Sequence, residues 1–460
     1  MSPLLSTKRL EQIVGAANVS TEHVDLLCYS RDASENVGMP DVVVWPTTTR
    51  QVSKIMKLAN ELMVPLTPRG AGTCLSGGPV PARGGILLVL TKMRNILEID
   101  IANLQALVEC GVVWQDLNNE LASYDLFLPP DPASGEACTI GGCVAECSGG
   151  VRAVRYGAFR DWVLGLQVVL PSGEVIETGA KTRKCVSGYD LTRLFVGSEG
   201  TLGVITRVRL RIFPMPRFRL VMSAYFDSLE NAGQAIFHVM TSDLSPSAAE
   251  LIDRHTVEAV SKYMNMKFPK CAALAIFEFD GSSLGELKRR MRQARKLCEK
   301  ENATRIDVSH TREESNRLWR ARKSCGPALA SLKPSALHED VTVPTSRIPE
   351  MLKKIEEIAK KHDLLIPTFG HVGDGNLHPL ILYDERVPDE VKRAEEATAD
   401  IFRAGIELGG TLSGEHGIGL SKAPYFSMEH TRAEIEVMQK IKIALDPNNI
   451  LNPGKIWIGT

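Results

Sequence analysis

The residues best suited to chemistry are two histidines that bracket a glycine-rich turn and a Glu-His pair further along the chain. The histidines are His371 and His378, with Val-Gly-Asp-Gly-Asn-Leu between them, and the pair is Glu415-His416. Two imidazoles and one carboxylate form a zinc ligand set that leaves a coordination position open for substrate. His416 would then be available as a base. The spacing indicates a metal-assisted reaction, although each histidine alone is more simply explained as a hairpin or loop residue.

The sequence around the two histidines predicts a β-hairpin that brings them together. The segments on either side are apolar and strand-favouring, and Gly373–Asn376 between them has strong turn chemistry. If those four residues close the turn, Val372 faces Leu377 and His371 faces His378. Side chains paired directly across an antiparallel ladder have Cβ atoms roughly 5 Å apart, which suits two imidazoles that share one ion.

The bulk composition is that of an ordinary globular protein with two or three domains. The chain has 460 residues, of which 44% are hydrophobic and 24% charged. Its formal net charge of -1 offers no basic excess for phosphates, which argues against a nucleic-acid partner. No apolar run reaches the roughly 18 residues of a membrane span. Met1–Gly15 predicts a short amphipathic helix rather than an export signal, so we expect a cytoplasmic protein.

The ten cysteines are most simply reduced thiols in such a protein. Cys138, Cys143 and Cys147 lie close together, but an iron–sulfur cluster usually takes four thiolates at tighter spacing. We therefore interpret these three as small buried residues, and the sequence leaves their role open.

The elements that must position the candidate residues divide into two halves of an α+β chain. In the first half, short strands alternate with helices and with loops rich in Gly and Pro, including a hairpin around Pro171–Gly173. The second half combines strands with long amphipathic helices such as Ile348–His362. Pro214 and Pro216 break any regular element and mark the expected boundary between the halves.

Four glycine-rich loops in the first half are rich in backbone N–H donors. They comprise residues 68–78, 129–142, 148–157 and 197–206. Successive N–H groups in such loops form concavities that bind anions such as a pyrophosphate. One loop alone is equally well explained as a simple turn, and none matches the Rossmann or Walker pattern. Four within about 140 residues favour one extended ligand of dinucleotide size.

Taken together, these motifs resemble the flavin-binding domain of the vanillyl-alcohol oxidase (PCMH-type) superfamily, and the second half resembles the C-terminal domain of FAD-linked oxidases. The resemblance runs from about residue 37 to residue 456 and is strongest to the FAD-linked D-2-hydroxy-acid dehydrogenases, which include the glycolate oxidase catalytic subunit and D-lactate dehydrogenase. The motifs that carry it are PRGAGT, PDPASGEACTIGG, GSEGTLGVIT, GHVGDGNLHP, SGEHGIG and LNPGKI.

The resemblance implies three regions. These are an N-terminal helical segment (residues 1–35), a PCMH-type FAD-binding domain (36–215) and an α/β FAD-linked oxidase C-terminal domain (216–460). The last domain would carry substrate and metal, and about fifteen residues at its end would return to the flavin.

The resemblance also implies roles for individual residues. His371, His378 and Glu415 would hold a divalent metal, for which zinc suits the set best and manganese or iron are alternatives. His416 would be the general base, Asn376 a substrate or supporting contact, and Arg322 the clamp for the substrate carboxylate. The FAD would be bound non-covalently by Arg69, Gly70, Ala71, Gly72, Thr73, Ser76, Gly77, Pro132, Ser134, Thr139, Gly141, Gly142, Ser148, Gly149, Tyr156, Glu199, Gly200, Val204, Ile205 and Asn452.

The substrate expected from the resemblance is a small D-2-hydroxy acid. Relatives specific for the dicarboxylate 2-hydroxyglutarate carry a Lys about where His338 stands, so a monocarboxylate such as D-lactate or glycolate is favoured. No nicotinamide motif or iron–sulfur motif appears in the sequence. We therefore expect electrons to leave to a separate acceptor: an iron–sulfur subunit, an electron-transfer flavoprotein or a quinone-linked partner, through which the protein would be peripheral to a membrane.

Some features depart from the resembled family, and other functions stay open. Cys143 and Cys147 stand where Asn is usual, and Cys74 stands where Gly is common. A flavin-containing alkyl-dihydroxyacetone-phosphate synthase shares the expected fold, but its run of histidines is not found here. A subunit that only relays electrons would not explain the histidines, and a metal hydrolase would not explain the glycine-rich loops.

Overall fold

The computed structural model of the protein describes residues 7–457. The predicted N-terminal helix is present as α1, and the part of the prediction that precedes Thr7 lies outside the described residues. The helices are α1 Thr7–Val14, α2 His23–Cys28, α3 Thr49–Leu62, α4 Trp114–Ala122, α5 Ile140–Glu146, α6 Ala153–Tyr156, α7 Leu191–Phe195, α8 Leu229–Met240, α9 Arg254–Tyr263, α10 Leu284–Lys300, α11 Arg312–Lys323, α12 Cys325–Ala330, α13 Ile348–His362, α14 Pro388–Glu407, α15 Phe426–Glu429 and α16 Arg432–Leu445.

The strands are β1 Val19–Ser20, β2 Val42–Val44, β3 Leu66–Arg69, β4 Ile86–Val89, β5 Ile96–Asp100, β6 Gln105–Glu109, β7 Leu126–Phe127, β8 Val163–Val169, β9 Val175–Gly179, β10 Val204–Arg211, β11 Phe213–Pro214, β12 Phe218–Phe226, β13 Ala248–Asp253, β14 Ala273–Gly281, β15 Arg305–Val308, β16 Ser335–His338, β17 Val341–Thr342, β18 Thr368–Gly370 and β19 Asn376–Tyr383. Within residues 7–457, no helix has both the length and the apolar character that crossing a bilayer requires.

The chain forms two compact units, and several of its segments alternate between them. Unit 1 contains the residues up to Gly149, then Ala158–Met215 and the residues from Glu415 onward. Unit 2 contains Gly150–Gly157 and Pro216–Gly414.

Unit 1 contains two main sheets. The first has the order β1-β2-β4-β3, with β4 parallel to both β2 and β3, and the second is antiparallel with the order β5-β6-β10-β8-β9. Helix α3 shows why these elements form, because the Thr48 side chain caps it and Val52, Ile55, Met56 and Ala59 recur at helical spacing on its buried face. The predicted hairpin around Pro171–Gly173 is confirmed, since it joins β8 to β9.

Unit 2 is built on one sheet with the order β15-β12-β14-β13-β18-β19-β16, and β17 pairs with β19. Alternate residues of β12 join two separate cores, because successive side chains of a strand point to opposite faces. Met222, Ala224 and Phe226 pack with helices α8, α10, α13 and α14. Val221 and Tyr225 pack with α9, α11 and α12. Both faces of the sheet are therefore covered, and the strands are correspondingly apolar.

The strand pairing beside the candidate histidines differs from the prediction. Strands β18 and β19 do form an antiparallel pair, but Phe369, rather than His371, is opposite His378. The turn takes up more residues than expected, because Val372–Asp374 forms a 3₁₀ turn and Gly375 has a φ of 90°. His371 is thus a diagonal neighbour of His378 on the same face, which still brings the two rings together.

A short segment of the first half belongs to unit 2 because it is anchored by buried carboxylates. The guanidinium of Arg152 donates to Glu278 at 2.9 Å, and Arg155 lies 2.8 Å from Asp280. The Tyr156 hydroxyl donates to the same Asp280 at 2.8 Å. Residues 150–157 therefore belong to unit 2, although they lie within the sequence range 36–215 that was predicted to form the FAD-binding domain.

The C-terminal segment is also placed differently from the sequence expectation. The return to unit 1 begins at Glu415, whereas only about the last fifteen residues were expected to return. Lys442 of α16 anchors the segment, since its buried ammonium donates to the carbonyl oxygens of Thr201 and Leu451 and to the carboxylate of Asp446. Burial lowers the pKa of Lys442, and Asp446 opposes that effect.

Replacement of Lys442 should destabilise the protein strongly. Lys442→Met removes the cation and leaves Asp446 as a buried carboxylate without its partner, which costs about 3–5 kcal/mol in comparable cases. We expect a matching loss in the free energy of unfolding measured with urea. The control is Lys440→Met, which changes an exposed lysine of the same helix and should shift that free energy by less than roughly 0.5 kcal/mol. Equal effects of the two substitutions would contradict the anchoring role.

Candidate functional site

Unit 1 contains a cavity of about 500 Å³ that is lined by the glycine-rich loops. A volume of this size is typical of small-molecule and cofactor pockets. Most residues assigned to the dinucleotide in the sequence analysis lie on its wall: Arg69, Gly70, Ala71, Gly72, Thr73, Pro132, Ser134, Thr139, Gly141, Gly142, Ser148, Glu199, Gly200, Val204 and Ile205. Three of the four loops therefore meet around one space, together with Ser148 of the fourth.

Arg69 gives this cavity a buried positive charge that lacks a full set of partners. Its side chain is 7% exposed, and its Nε and Nη1 atoms have no hydrogen-bond partner among the described residues. Burial lowers the pKa of Arg69, while the nearby Asp32 opposes that effect. A buried unsatisfied donor is costly, so the arrangement fits an anionic ligand such as a pyrophosphate.

The glycines of the same loop are required by close packing. A Cβ on Gly72 would lie 2.1 Å from the Arg69 guanidinium, and the φ of Gly72 is +76°. A Cβ on Gly70 would lie 2.4 Å from the Thr139 hydroxyl. Side chains at these positions would fill the space where a ligand must approach the backbone.

Five residues assigned to the dinucleotide do not line the cavity. Ser76 donates from its hydroxyl to the carbonyl oxygen of His416, and the Gly77 amide donates to Asp32. Asn452 donates to the carbonyl oxygens of Gly78 and Glu199 and so holds two loops of the wall. The other two are Gly149, which ends a segment of unit 1, and Tyr156, which belongs to unit 2.

The wall also includes residues that the sequence analysis did not assign to it. Among them are Asp32, Cys74, Cys110, Cys138, Cys143 and Glu146. Burial, followed by the charge of Glu199, raises the pKa of Glu146 well above its ordinary value. Glu146 lies in α5, and the two glycines near the start of that helix concealed the helical pattern.

The loop that carries Glu415 and His416 is fixed within unit 1 by a buried carboxylate. Glu199 accepts hydrogen bonds from the amides of Ile418 at 2.8 Å and Gly419 at 2.7 Å. Both Glu415 and His416 lie on the cavity wall. The residue expected to act as the base therefore borders the space expected to hold the dinucleotide.

The histidine pair lies in unit 2, where a second buried carboxylate orients one ring. The centroids of His371 and His378 are 5.1 Å apart and the ring planes are nearly perpendicular. Two imidazoles on one tetrahedral ion have centroids about 5 Å apart, given zinc–nitrogen distances near 2 Å. Glu250 lies 2.8 Å from Nδ1 of His371, an arrangement that presents Nε2 as the metal-binding nitrogen. The two histidines therefore fit a shared ion.

Arg322 is held by the same carboxylate. Its Nε donates to Glu250 at 2.6 Å, and its guanidinium stacks 4.7 Å from the centre of the Phe369 ring. Nη2 of Arg322 is buried and has no hydrogen-bond partner within the described part of the chain. One end of the guanidinium is thus fixed, and the other can donate to an added carboxylate.

Asp340 of unit 2 accepts hydrogen bonds from three groups and lies beside His378. It accepts from the Asn376 side chain at 2.6 Å, from the Ser413 hydroxyl at 2.7 Å and from the Gly414 amide at 2.9 Å. Its carboxylate also lies 3.7 Å from Nδ1 of His378. Asp340 therefore fixes the end of the segment that leads directly into Glu415.

Comparisons with known proteins match both halves of the chain. A model of the FAD binding domain matches residues 40–179, and a model of the C-terminal domain of FAD linked oxidases matches residues 215–456. The glycolate oxidase subunit GlcD of Bacillus subtilis is 43% identical over 98% of this chain and 96% of its own length. The mitochondrial D-lactate dehydrogenase [cytochrome] of Arabidopsis thaliana is 35% identical over 91% of this chain and 74% of its own length.

Solved structures share the fold at low sequence identity. Substrate-bound p-cresol methylhydroxylase has a TM-score of 0.80 at 20% identity and covers 98% of this chain and 95% of that chain. An alkyldihydroxyacetonephosphate synthase has a TM-score of 0.76 at 18% identity and covers 97% of this chain and 85% of that chain. The expected fold, a PCMH-type FAD-binding domain followed by an FAD-linked oxidase C-terminal domain, is thus confirmed.

Removal of the buried guanidinium should weaken FAD binding. Arg69→Met keeps much of the side-chain volume but removes a charged donor, and such hydrogen bonds contribute about 1.5–3 kcal/mol. We expect the Kd for FAD to rise roughly 10- to 100-fold in a fluorescence titration. Arg94→Met, which changes an exposed arginine of the same unit, should leave the Kd unchanged. An unaltered Kd for Arg69→Met would show that this residue does not bind the cofactor.

Proposed function

Because the chain belongs to the family of FAD-linked oxidases and is an FAD-linked oxidoreductase, we propose that it oxidises a small D-2-hydroxy acid to the 2-oxo acid with the help of a divalent metal. The observation that carries the proposal is the buried Glu250, which holds both His371 and Arg322. Glu250 thus holds a histidine that can bind a metal and an arginine that can bind a carboxylate. A 2-hydroxy acid offers a hydroxyl for the metal and a carboxylate for the arginine.

We assign the metal to His371, His378 and Glu415, with zinc as the ion that suits the set best and manganese or iron as alternatives. The amide of Gly414 is fixed by Asp340, which also lies beside His378. A trans peptide bond sets the Cα of Glu415 about 3.8 Å from that of Gly414. Because the residue before Glu415 is held by a group beside His378, we infer that Glu415 is the third ligand. A divalent ion supplies Lewis acidity that lowers the pKa of a coordinated hydroxyl.

The proton of the substrate hydroxyl goes to His416 in this proposal. An imidazole has an unperturbed pKa near neutrality and therefore suits a general base. The Ser76 hydroxyl holds the backbone carbonyl of His416, which limits the movement of the residue. FAD, when bound, supplies the two-electron acceptor for the hydride that leaves the substrate carbon.

The substrate carboxylate pairs with Arg322 through its unpartnered Nη2 atom. Asn376 is buried as well, and its Oδ1 has no hydrogen-bond partner within residues 7–457. Since Asn376 donates to Asp340 and Thr342, its amide is already oriented, and Oδ1 can accept a hydrogen bond. The resemblance to the family, in which a Lys would be expected about where His338 stands for a dicarboxylate substrate, favours a monocarboxylate such as D-lactate or glycolate.

The electrons must leave the flavin for a separate acceptor. We propose an iron–sulfur subunit, an electron-transfer flavoprotein or a quinone-linked partner in this role, and a cytoplasmic location peripheral to the membrane through that partner. The glycolate and D-lactate enzymes among the relatives are the basis for this part of the proposal.

The direct test is the visible spectrum of the purified protein without oxygen, before and after addition of D-lactate, glycolate or D-2-hydroxyglutarate. We expect D-lactate or glycolate to bleach the flavin bands and D-2-hydroxyglutarate to have little effect. Flavin bands that none of the three acids changes would reject the proposed reaction. They would favour a synthase that uses flavin without net oxidation, or an electron-relay subunit.

Loss of one histidine should separate metal binding from flavin binding. His378→Ala removes a proposed ligand in unit 2, whereas the FAD cavity is built from residues of unit 1. We expect loss of bound metal by elemental analysis and loss of substrate bleaching, with an unchanged flavin spectrum. His310→Ala, at an exposed position of unit 2, is the control. Full turnover by His378→Ala would exclude the metal assignment.

Glu250→Gln should weaken metal and substrate binding together. The amide is almost the same size but removes the negative charge that holds His371 and Arg322. Substitution of such supporting groups typically costs 10- to 100-fold in metal affinity. We expect that loss in a metal titration and a higher KM for the acid. Glu258→Gln, at an exposed position of the same unit, should change neither quantity, and metal affinity unaffected by Glu250→Gln would contradict the positioning role.

A further inference from the structure

Two cysteines in the wall of the unit 1 cavity form a close thiol pair that the proposed reaction does not use. The Sγ atoms of Cys138 and Cys143 are 3.4 Å apart, and the Cys143 thiol donates to the Cys138 sulfur. Both side chains are almost fully buried, at 4% and 2% exposure. Both also border the cavity, so a small reagent inside the cavity can reach them.

The chain fixes this pair on both sides. The amide of Cys138 donates to the carbonyl oxygen of Ser134, and its own carbonyl accepts from the amide of Trp114. Cys143 lies in the first turns of α5, where its amide donates to the carbonyl of Thr139. The backbone of each cysteine is therefore held in place, which keeps the two side chains close together.

The two thiols are chemically unequal. The hydrogen bond from Cys143 lowers the pKa of Cys138, although burial opposes that effect. The same contact, together with burial, raises the pKa of Cys143 well above its ordinary value. Because the thiolate is the reactive form, Cys138 is the nucleophile and Cys143 the resolving thiol of the pair.

We propose that Cys138 and Cys143 form a two-electron redox site that reduces hydroperoxide inside the flavin cavity and becomes a reversible disulfide. The sulfur of Cys138 attacks the peroxide, so that an S–O bond forms, the O–O bond breaks and one water leaves. The sulfur of Cys143 then attacks that of Cys138, so that the S–S bond forms, the S–O bond breaks and a second water leaves. In total, two thiols and one hydrogen peroxide give one disulfide and two waters.

The geometry requires only a small movement for this reaction. A disulfide has a sulfur–sulfur length near 2.05 Å, so the two atoms must approach by roughly 1.4 Å. Four residues separate the two cysteines in the sequence, and the ring that closes between them is short. Because hydrogen peroxide is about the size of two water molecules, it needs only a small part of the cavity that the two cysteines border.

The test is a peptide map of the FAD-loaded protein after treatment with hydrogen peroxide. After excess peroxide is removed, the protein is unfolded in guanidinium chloride so that the buried thiols are accessible. Free thiols are then blocked with N-ethylmaleimide and the protein is cut on the carboxyl side of glutamate. The fragment Ala137–Glu146 then contains these two cysteines and no other. We expect this fragment without any label and roughly 2 Da lighter than its dithiol form. Dithiothreitol added before blocking should restore two labels.

Variants separate the roles of the two thiols. Cys143→Ser should leave Cys138 as a sulfenic acid that dimedone traps, whereas Cys138→Ser should slow oxidation at Cys143 at least 10-fold. Cys110→Ser is the matched control, since Cys110 borders the same cavity and burial raises its pKa to about 12. The disulfide in Ala137–Glu146 should form in Cys110→Ser as it does in the unaltered protein.

The exposed Cys28 and Cys185 report whether the peroxide treatment was effective. If these two are oxidised while Ala137–Glu146 keeps both labels, the proposal is overturned. A disulfide from either cysteine to Cys147 or to Cys110 would overturn it equally. Because peroxide is added and no hydroxy acid is needed, the result does not depend on the proposed substrate oxidation.

Discussion

The candidate site in unit 2 depends on one buried carboxylate. Glu250 is fully buried, and burial of a charge is costly unless that charge is paired and hydrogen-bonded. The guanidinium of Arg322 at 2.6 Å and the ring of His371 at 2.8 Å supply that pairing. Two residues with different proposed tasks are thereby held in one arrangement. Moving Arg322 or His371 away would leave the buried carboxylate of Glu250 with one partner fewer, and the free-energy cost of that loss keeps both side chains in place.

A buried carboxylate also holds two groups in unit 1, where the donors are backbone amides instead of side chains. Glu199 accepts from two successive amides, those of Ile418 and Gly419, and so shapes the loop that carries His416. The sequence analysis assigned Glu199 to the cofactor, and Glu199 does line the cavity. The hydrogen bonds that its carboxylate makes, however, hold this loop. A residue that lines the cavity can therefore also position the loop that carries the proposed base, His416.

Local patterns predicted the elements well and the long-range contacts poorly. The spacing of Ile348, Met351, Ile355 and Ile358 placed α13, and turn chemistry placed the hairpin of β8 and β9. The register beside His371 was wrong, because a 3₁₀ turn absorbed residues that the pattern gave to the strands. Glu250 was missed since its partners lie 72 and 121 residues away in sequence, and no local signal marks such a residue.

The chain passes between the two units at positions that its sequence marks unevenly. Pro214 and Pro216 flank one passage, but the others fall at Gly149-Gly150, Gly157 and Gly414, where glycine carries no boundary signal distinct from an ordinary turn. At the last passage, Ser413 and Gly414 donate to Asp340, and a few residues later Ile418 and Gly419 donate to Glu199. The motif Ser-Gly-Glu-His-Gly-Ile-Gly is thus anchored at each end by a different buried carboxylate. In the sequence, Glu415 and His416 lie between Gly414, whose amide Asp340 holds, and Ile418, whose amide Glu199 holds. Hydrogen bonds to buried carboxylates thus fix backbone amides on either side, in sequence, of a proposed metal ligand and a proposed base.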